Sequence, residues 1–259
     1  MSVALTLAVL TYRGDELLTD CLTALFQDPW PADTELLLVA NGPTAQVTPP
    51  RWDHRFLRLP HNTGNVGGIN ACFQEAAGEY VLMITDDVRV QEGCIQAMWA
   101  CRGPKRVLHP ALIQPDGEVD CFGLRVYWPG YGARIRTLPA GHKFLLPIPS
   151  ISTNCFLMPK AWWAQLGGFA EGMGVGYEDV DFSLRTYQAG GSCYSVPWAR
   201  ATHLMGQTIG SVVKRPLSPY YCRARYATIQ RNYTSLDRAS RLLIARSLDT
   251  AMRWWRQLR

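Results

Sequence analysis

The sequence predicts an α/β fold in which helices flank a mostly parallel central sheet, with a helical appendage at the C-terminus. Short, uninterrupted apolar runs such as residues 3–10 and 35–40 are typical of strands buried on both faces. Apolar residues at helical spacing lie between these runs, at the length that a crossover between parallel strands needs. With 47% hydrophobic and 18% charged residues, the chain has the composition of a globular protein with a substantial core.

In the first third of the chain, strands and helices are predicted to alternate. A helix after the first strand carries Leu18, Leu22 and Leu25 on one side, and the segment 28–31, which holds two prolines, ends it. The predicted strands are residues 3–10, 35–40, 55–59 and 80–88, and further helices are predicted at 67–77 and 91–102. This order favours a parallel sheet.

The middle of the chain predicts a hairpin followed by a long loop. Strands at 106–113 and 119–128 are joined at Asp116-Gly117, a turn dipeptide. Residues 128–150 are rich in Pro, Gly and aromatic residues without a clear period, so a long surface loop is expected there. The remaining predicted elements are a strand at 154–158, a helix from Pro159 to Gly167, a helix from 178 to 190, strands at 192–196 and 199–203, and helices over 218–259.

The segment 80–88 (YVLMITDDV) is the centre of the functional prediction. Its apolar run ends on Asp86 and Asp87, which should emerge at the carboxyl end of a buried strand, where open α/β sheets place ligands. Two acids held there suit a hard divalent cation that also binds phosphate oxygens. A merely acidic loop is the alternative, and this segment alone does not decide between them.

Two glycine-rich segments also precede predicted helices. The first, residues 61–70 (HNTGNVGGIN), is expected to open a helix at Gly67-Gly68 whose N–H groups would face an anion, or to be a plain turn. The second, residues 171–179, delivers Glu178 and Asp179 to a helix start, with Asp181 one turn further on. Acids at a helix N-terminus are stabilising without any chemistry, but three acids exceed what capping needs.

The positive charge of the chain is concentrated in its last 46 residues. The formal net charge is +5, yet residues 214–259 contain eleven Lys and Arg against Asp237 and Asp249. A stripe of apolar residues with Trp254-Trp255 near the end makes this segment a basic amphipathic helix, which suits either an anionic membrane surface or packing on protein. No motif that reads bases accompanies the charge, so nucleic-acid binding is not expected.

The eight cysteines contain no Cys-x-x-Cys pair, which argues against a zinc or redox framework and fits a reducing compartment. No basic segment precedes the N-terminal apolar run, and no run approaches the length of a membrane span. A cytoplasmic protein is therefore expected, with peripheral contact at the inner membrane face as an extension of the basic segment. The subunit count stays open, a homodimer among the options.

Taken in order, these segments resemble the family 2 glycosyltransferases with a GT-A fold, and among them the rhamnosyltransferase-like bacterial enzymes. The matching segments are LTY at 10–12, LVANG at 38–42, NTGNVGGIN at 62–70, TDDV at 85–88, EDVDFSLR at 178–185, and His203. No single motif is specific, but their order and spacing together cover residues 3–210.

The resemblance implies roles for individual residues. Asp87 matches the last acid of the family's Asp-x-Asp motif and would hold Mg²⁺ or Mn²⁺ against a diphosphate, with His203 as a further ligand. Asp179 matches the second member of the family's acid pair and would be the catalytic base, although the residues alone do not separate it from Glu178. The implied donor-binding residues are Thr11, Tyr12, Arg13, Asn41, Asn62, Gly64, Gly67, Gly68, Asn70 and Asp86.

Three positions depart from the family pattern. Thr85 stands where the first acid of Asp-x-Asp is usual, so metal binding relies on fewer charges. Ala40 replaces the usual Asp before Asn41-Gly42, and Arg13 stands where Asn is common. These departures bear on the identity of the donor more than on the fold.

The sequence thus predicts a GT-A domain at residues 1–215 and a basic helical appendage at 216–259. The resemblance implies an inverting, metal-dependent transfer of a sugar from a UDP- or dTDP-linked donor to a glycan or lipid-linked glycan, in cell-surface polysaccharide synthesis. The alternative is a catalytically impaired nucleotide-sugar-binding protein, for which Thr85 and Ala40 speak. A nucleotidyltransferase would need a longer Gly-rich, basic signature than residues 11–14 provide.

Overall fold

The computed structural model describes residues 2–43, 47, 53–138, 144–172, 176–204 and 219–257. The strands are β1 (Leu5–Thr11), β2 (Thr34–Ala40), β3 (Arg55–Arg58), β4 (Tyr80–Thr85), β5 (Val88–Val90), β6 (Arg106–Ile113), β7 (Val119–Cys121), β8 (Leu124–Tyr127), β9 (Tyr131–Arg134), β10 (Leu146–Pro147), β11 (Cys155–Pro159) and β12 (Ser192–His203). The helices are α1 (Asp15–Gln27), α2 (Gly64–Glu75), α3 (Cys94–Ala100), α4 (Lys160–Gln165), α5 (Glu178–Gln188), α6 (Pro219–Asn232) and α7 (Ser235–Gln257).

A central sheet runs through the described chain in the order β10-β12-β6-β11-β4-β1-β2-β3, with β5 on β12 and β7 on β6. The four strands β3, β2, β1 and β4 are parallel, as their crossover lengths predict. The neighbouring β11 is antiparallel to both β4 and β6. Since the parallel strands share one direction, their carboxyl ends meet at one edge.

Hydrophobic clusters cover both faces of this sheet. In β4, Val81 and Met83 belong to one cluster, while Leu82 and Ile84 belong to the other. Successive side chains of a strand point to opposite faces. Because both faces are covered, every position of β4 has to be apolar, which is why the sequence shows an unbroken run there.

The second helix starts earlier than predicted. Helix α2 begins at Gly64, so Gly67 and Gly68 lie inside it rather than at its start. A Cβ on Gly68 would lie 2.8 Å from a methyl carbon of Leu10. This glycine therefore allows α2 to pack closely on β1, and the prediction that Gly67-Gly68 opens the helix was wrong.

The predicted strand over 119–128 is two strands that belong to different sheets. The break falls at Gly123, whose φ of 124° favours glycine and where a Cβ would lie 2.9 Å from the carbonyl oxygen of Ser150. After the break, β8 pairs with β9 in a separate two-stranded sheet. The expectation of a loop without regular structure over 128–150 was therefore wrong, although residues 139–143 lie outside the described part.

The two strands predicted at 192–196 and 199–203 are one strand. Strand β12 runs from Ser192 to His203, and its pairing with β6 shifts register between Val196 and Arg200. The irregularity accounts for the break in the apolar pattern. After it, His203 lies opposite Val88 of β5, so the strand ends beside the residues that follow β4.

A buried ion pair joins the two C-terminal helices, and a hydrogen bond from β9 connects it to the body. Arg225 of α6 and Asp249 of α7 are both 1% exposed and form a salt bridge. Tyr131 of β9 donates a hydrogen bond to Asp249 at 2.8 Å. The predicted boundary at 215/216 lies outside the described residues. None of the helices in the described part combines the length and apolar character needed to cross a bilayer.

Removing the Asp249 carboxylate is expected to destabilise the fold strongly. Asp249→Ala leaves the Arg225 guanidinium buried without its counter-charge, which costs about 3–5 kcal/mol in the free energy of unfolding. Urea unfolding of both proteins measures this cost. The matched control is Asp237→Ala, which breaks an ion pair with Arg241 on the same helix at a carboxylate that is 40% exposed and should cost less than about 1 kcal/mol. Equal losses would contradict the prediction.

Candidate active site

A cleft of about 1210 Å³ opens at the carboxyl edge of the parallel strands. The ends of β1, β2 and β4 lie side by side there, since Thr11 pairs with Ala40 and Leu10 with Thr85. The start of α2, the β8–β9 hairpin, the start of α5 and helix α6 complete its walls. The predicted site residues that line the cleft are Tyr12, Asn41, Asn62, Gly64, Gly67, Asn70, Asp86, Asp87, Glu178, Asp179 and His203.

Three of the predicted donor-binding residues are not among the lining residues: Thr11, Arg13 and Gly68. Thr11 is fully buried, and its hydroxyl donates a hydrogen bond of 2.5 Å to Asp86 Oδ2. The same hydroxyl oxygen accepts a bond from the N–H of Gly14 at 2.8 Å. Thr11 therefore orients Asp86 at the edge of the cleft instead of facing a ligand itself.

Asn41, which follows β2, and Asn70, in the first glycine-rich segment, hold the backbone of loops around the cleft. The amide of Asn41 donates to the carbonyl of Gly64 at 2.9 Å and accepts from the N–H of Thr63 at 2.9 Å. Asn70 makes two hydrogen bonds with the backbone of Phe169, at 2.9 and 3.0 Å. These side chains line the cleft, but their amides are engaged in fixing the loops around it.

Asp87 and His203 converge at the end of β4. Asp87 Oδ1 accepts a hydrogen bond from the hydroxyl of Thr85 at 2.6 Å, and Asp87 Oδ2 lies 3.5 Å from His203 Nε2. Asn154 Nδ2 approaches the same imidazole nitrogen at 3.2 Å. Burial alone would raise the pKa of Asp87, but its bonds to His203 and Thr85 outweigh burial and lower it. The carboxylate is therefore charged at neutral pH.

A second carboxylate, Asp120 of β7, holds the other side of the histidine ring. Asp120 Oδ2 lies 3.0 Å from His203 Nδ1, and Arg134 forms an ion pair with Asp120. Burial tends to lower the pKa of His203, but its bonds to Asp120 and Asp87 outweigh burial and raise it. When Nδ1–H donates to Asp120 and Nε2 is deprotonated, the lone pair of Nε2 would be available to a cation bound beside Asp87.

These groups fit a divalent cation only in part. A carboxylate and an imidazole whose other nitrogen is held by a second carboxylate are donors that Mn²⁺ accepts. No group of three or more His, Cys, Asp and Glu side chains suited to a metal occurs among the described residues. The remaining coordination positions would have to come from phosphate oxygens and water, as is common for Mg²⁺ bound at diphosphates.

The acid pair lies at the first turn of α5, and its two members have different surroundings. Glu178 is buried, and its Oε1 accepts hydrogen bonds from Asn65 at 3.0 Å and from Thr153 at 3.2 Å. Asp179 is only half-buried and lines the cleft, with Oδ1 accepting from the N–H of Val180 at 2.8 Å. The loss of water around its carboxyl group and the negative charge of Glu178 raise the pKa of Asp179 well above its usual value.

The third acid of this segment, Asp181, has a structural place. It is fully buried and forms salt bridges with Arg185 at 2.8 Å and with Arg231 of α6 at 3.3 Å. Asn232 donates a further hydrogen bond to it at 2.7 Å. Asp181 thus attaches α6 to α5, which brings the C-terminal helices to the cleft.

Sequence reasoning missed a group of lining residues that come from the hairpin, the residue before α5, and α6. These residues are Tyr131, Arg134, Tyr177, Tyr221 and Arg225. The segments of Tyr131 and Arg134 were predicted as an irregular loop and those of Tyr221 and Arg225 as an appendage, while Tyr177 lies in the second glycine-rich segment but was not singled out. Asp120 was missed as well, because a lone acid at a strand end carries no signal in a single sequence.

The comparisons with known proteins bear on the fold. Residues 6–112 match the model of the family described as glycosyl transferase family 2. The fold is similar to that of GalNAc-T7 in a crystal structure with UDP, GalNAc and Mn²⁺, with a TM-score of 0.67 and 13% identity over 88% of this chain and 48% of that one. It is also similar to S. aureus TarS 1–349 in complex with UDP-GlcNAc, with a TM-score of 0.62 and 15% identity over 92% of this chain and 70% of that one.

At these identities the likeness of structures shows the GT-A fold alone. The chain spans about half of the length of the GalNAc-T7 chain (48%) and 40% of a longer TarS chain. A search of curated proteins found no match.

Proposed function

We propose that this chain is a glycosyl transferase of family 2, whose model residues 6–112 match, and that it transfers a sugar from a nucleotide-sugar to a hydroxyl acceptor with inversion. The observation that carries the proposal is that one cleft, at the carboxyl ends of the parallel strands, collects a pair of cation ligands and a separate half-buried carboxylate. Asp87 and His203 supply the first, and Asp179 supplies the second.

The donor end of the reaction belongs to the edge formed by β1, β2 and β4. The nucleotide would lie against Tyr12, Asn62 and the start of α2, with its diphosphate toward Asp87 and His203. A divalent cation held by these two residues would absorb negative charge that develops on the departing diphosphate. Asp120 would keep the imidazole in the orientation that this requires.

Asp179 is the better base of the two acids. The base has to reach the acceptor hydroxyl and take its proton while the oxygen attacks the anomeric carbon from the side opposite the diphosphate. Glu178 is buried, and its Oε1 is engaged with Asn65 and Thr153, whereas Asp179 remains accessible from the cleft. Glu178 would instead fix the start of α2 against α5 and tune its neighbour by charge.

The pH dependence should show this coupling between the two acids. The base acts only when deprotonated, so a raised pKa of Asp179 places the acid limb of the rate profile at higher pH than an ordinary carboxyl would. Glu178→Gln removes the charge that helps to raise this pKa, and the limb should move to lower pH. A profile of kcat against pH for the two proteins measures the shift. An unmoved limb would mean that another group titrates.

The first test of the function is a thermal-shift panel of nucleoside diphosphates and nucleotide-sugars, with and without Mn²⁺ or Mg²⁺. A ligand that binds only the folded state raises Tm with its occupancy. A metal-dependent rise with UDP or dTDP, together with donor turnover, would support the proposal. Binding without turnover or donor hydrolysis would favour the alternative, a nucleotide-sugar-binding protein, and no rise with any nucleotide would contradict both.

The acceptor, a role in polysaccharide synthesis, a cytoplasmic location and a homodimer stay predictions. The structure bears on the membrane prediction for residues 216–259 in two opposite ways. Arg225, Arg231 and Arg241 are engaged in ion pairs within the fold, which lowers the charge left for a lipid surface. In the opposite direction, the large apolar side chains that are exposed among the described residues of α7 are Leu243, Leu248 and Met252, and these suit a lipid surface.

A further inference from the structure

Carboxylates outnumber lysine and arginine side chains in the described lining of the cleft, although the proposed ligand is an anion. The described lining residues include the five carboxylates Asp86, Asp87, Glu171, Glu178 and Asp179. A nucleoside diphosphate carries two or more negative charges, so binding it here requires compensating positive charge. The lysine and arginine side chains among the described lining residues are Arg134 and Arg225.

Arg225 is committed to the fold. It is 1% exposed, forms a buried ion pair with Asp249, and lies over the ring of Tyr131 at 4.1 Å from the ring centroid. Moving its guanidinium toward a ligand would leave Asp249 buried and unpaired, at a large cost. Among the described lining residues, Arg134 is therefore the arginine whose charge is better placed to meet a ligand.

Arg134 occupies the place where this charge is needed. It ends β9 with its side chain 36% exposed, and its guanidinium pairs with Asp120. Asp120 holds His203, which faces Asp87 at 3.5 Å, so a single carboxylate separates Arg134 from the proposed cation ligands. Arg134 also lies close enough to Asp179 for its charge to lower the pKa of that carboxyl.

We propose that Arg134 binds the diphosphate of the nucleotide-sugar and stabilises the leaving group during transfer, an inference that rests on the proposed function. A guanidinium presents five N–H donors in a planar fork that matches phosphate oxygens. As the bond from the anomeric carbon to the diphosphate oxygen breaks, the oxygen keeps the electron pair and the positive charge stabilises it. The acceptor proton goes to Asp179.

The residue before Asp86-Asp87 is consistent with a need for this positive charge. It is Thr85, whose hydroxyl donates a hydrogen bond to Asp87, and it is not a third carboxylate that could bind a cation. One acidic ligand fewer weakens the hold on a divalent cation and so its ability to neutralise the diphosphate. A protein cation at the same place supplies part of that neutralisation without a metal.

The test is isothermal titration of UDP and dTDP, and of uridine and thymidine, into the full-length chain, in EDTA and in Mn²⁺. In Arg134→Gln, the affinity for the nucleoside diphosphate should fall about 10- to 100-fold, because a charge-assisted hydrogen bond is lost. Nucleoside affinity should be unchanged. The matched control is Arg136→Gln, which removes the same charge two residues away at an exposed position outside the cleft lining, and it should change diphosphate affinity by less than about threefold.

The possible outcomes separate the inference from the function that it rests on. If the unaltered chain binds no nucleoside diphosphate in either buffer, the proposed function fails. If it binds one and Arg134→Gln binds it equally well, or loses nucleoside and diphosphate affinity alike, Arg134 only neutralises Asp120 and the inference is overturned. If Arg134→Gln does not fold, Arg134→Lys is used in its place, because lysine keeps a positive charge that can pair with Asp120. Because an ammonium lacks the fork, this variant should lose at least about threefold in diphosphate affinity, and unchanged affinity would contradict the inference.

Discussion

Asp179→Asn should lower the rate of sugar transfer by about 10²- to 10⁴-fold, the contribution usual for a general base. Asparagine has the shape of aspartate but does not accept a proton at neutral pH. Its side-chain oxygen can still accept the hydrogen bond from Val180 that Asp179 makes, so the start of α5 should keep its structure. Donor affinity should therefore stay within about threefold, because the loss falls on kcat rather than on ground-state binding.

The control for this prediction is the neighbouring acid. Glu178→Gln makes the same chemical change one residue away, at a carboxylate bonded to Asn65 and Thr153. It should reduce the rate by less than about tenfold, the effect of a perturbed hydrogen bond in place of a lost base. Steady-state rates with saturating donor and acceptor distinguish the two variants. A larger loss in Glu178→Gln than in Asp179→Asn would exchange the roles of the two acids.

Asp87→Asn should abolish the dependence of nucleotide binding on a divalent cation. The substitution removes the carboxylate that would bind the cation, and it leaves His203 without one of the two charged partners that raise its pKa. A bound cation stabilises the negative charge on a leaving group by several kcal/mol. Because this stabilisation is lost, the transfer rate should fall by at least about 100-fold. Titration of UDP or dTDP in Mn²⁺ and in EDTA measures how nucleotide affinity depends on the cation. Initial rates of sugar transfer measure the loss of activity.

Asp116→Asn is the matched control for the second prediction, because Asp116 is an exposed turn residue that is not among the residues lining the cleft. It should leave the effect of Mn²⁺ on nucleotide affinity unchanged. If Asp87→Asn still binds nucleotide more tightly in Mn²⁺ than in EDTA, the cation is held by other groups and the pairing of Asp87 with His203 is only structural. A nucleotide site that ignores Mn²⁺ in the unaltered protein would contradict the prediction directly.

The two predictions differ in how they depend on the sequence and on the structure. Asp87 follows a continuous apolar strand, and that pattern alone places it at the edge where ligands bind. The choice of Asp179 over Glu178 could not come from adjacent acids with the same chemistry. It depends on which side chain the fold buries, and the contacts of Glu178 with Asn65 and Thr153 join segments more than 20 residues apart.

Local patterns predicted the parallel strands, most helices and the position of Asp86-Asp87 at the sheet edge. They could do so because burial of a strand or a helix face produces a pattern of apolar residues within a short stretch of sequence. The start of α2 was predicted too late because Gly67 and Gly68 were interpreted as a helix boundary, whereas Gly68 allows close packing against Leu10. The hairpin β8–β9 was missed because only four residues lie in each of its strands, and its exposed positions leave little alternation to detect.

The sequence by itself determined the family resemblance, the parallel sheet and the acids at its edge. Tertiary structure alone decided that Asp120 orients His203, that Asp181 attaches α6 beside the cleft, that the Arg225–Asp249 pair joins α6 to α7, and that Arg134 lines the cleft. The physical reason is the same in each case. An ion pair between distant segments depends on position in space and on burial, and a single sequence carries neither.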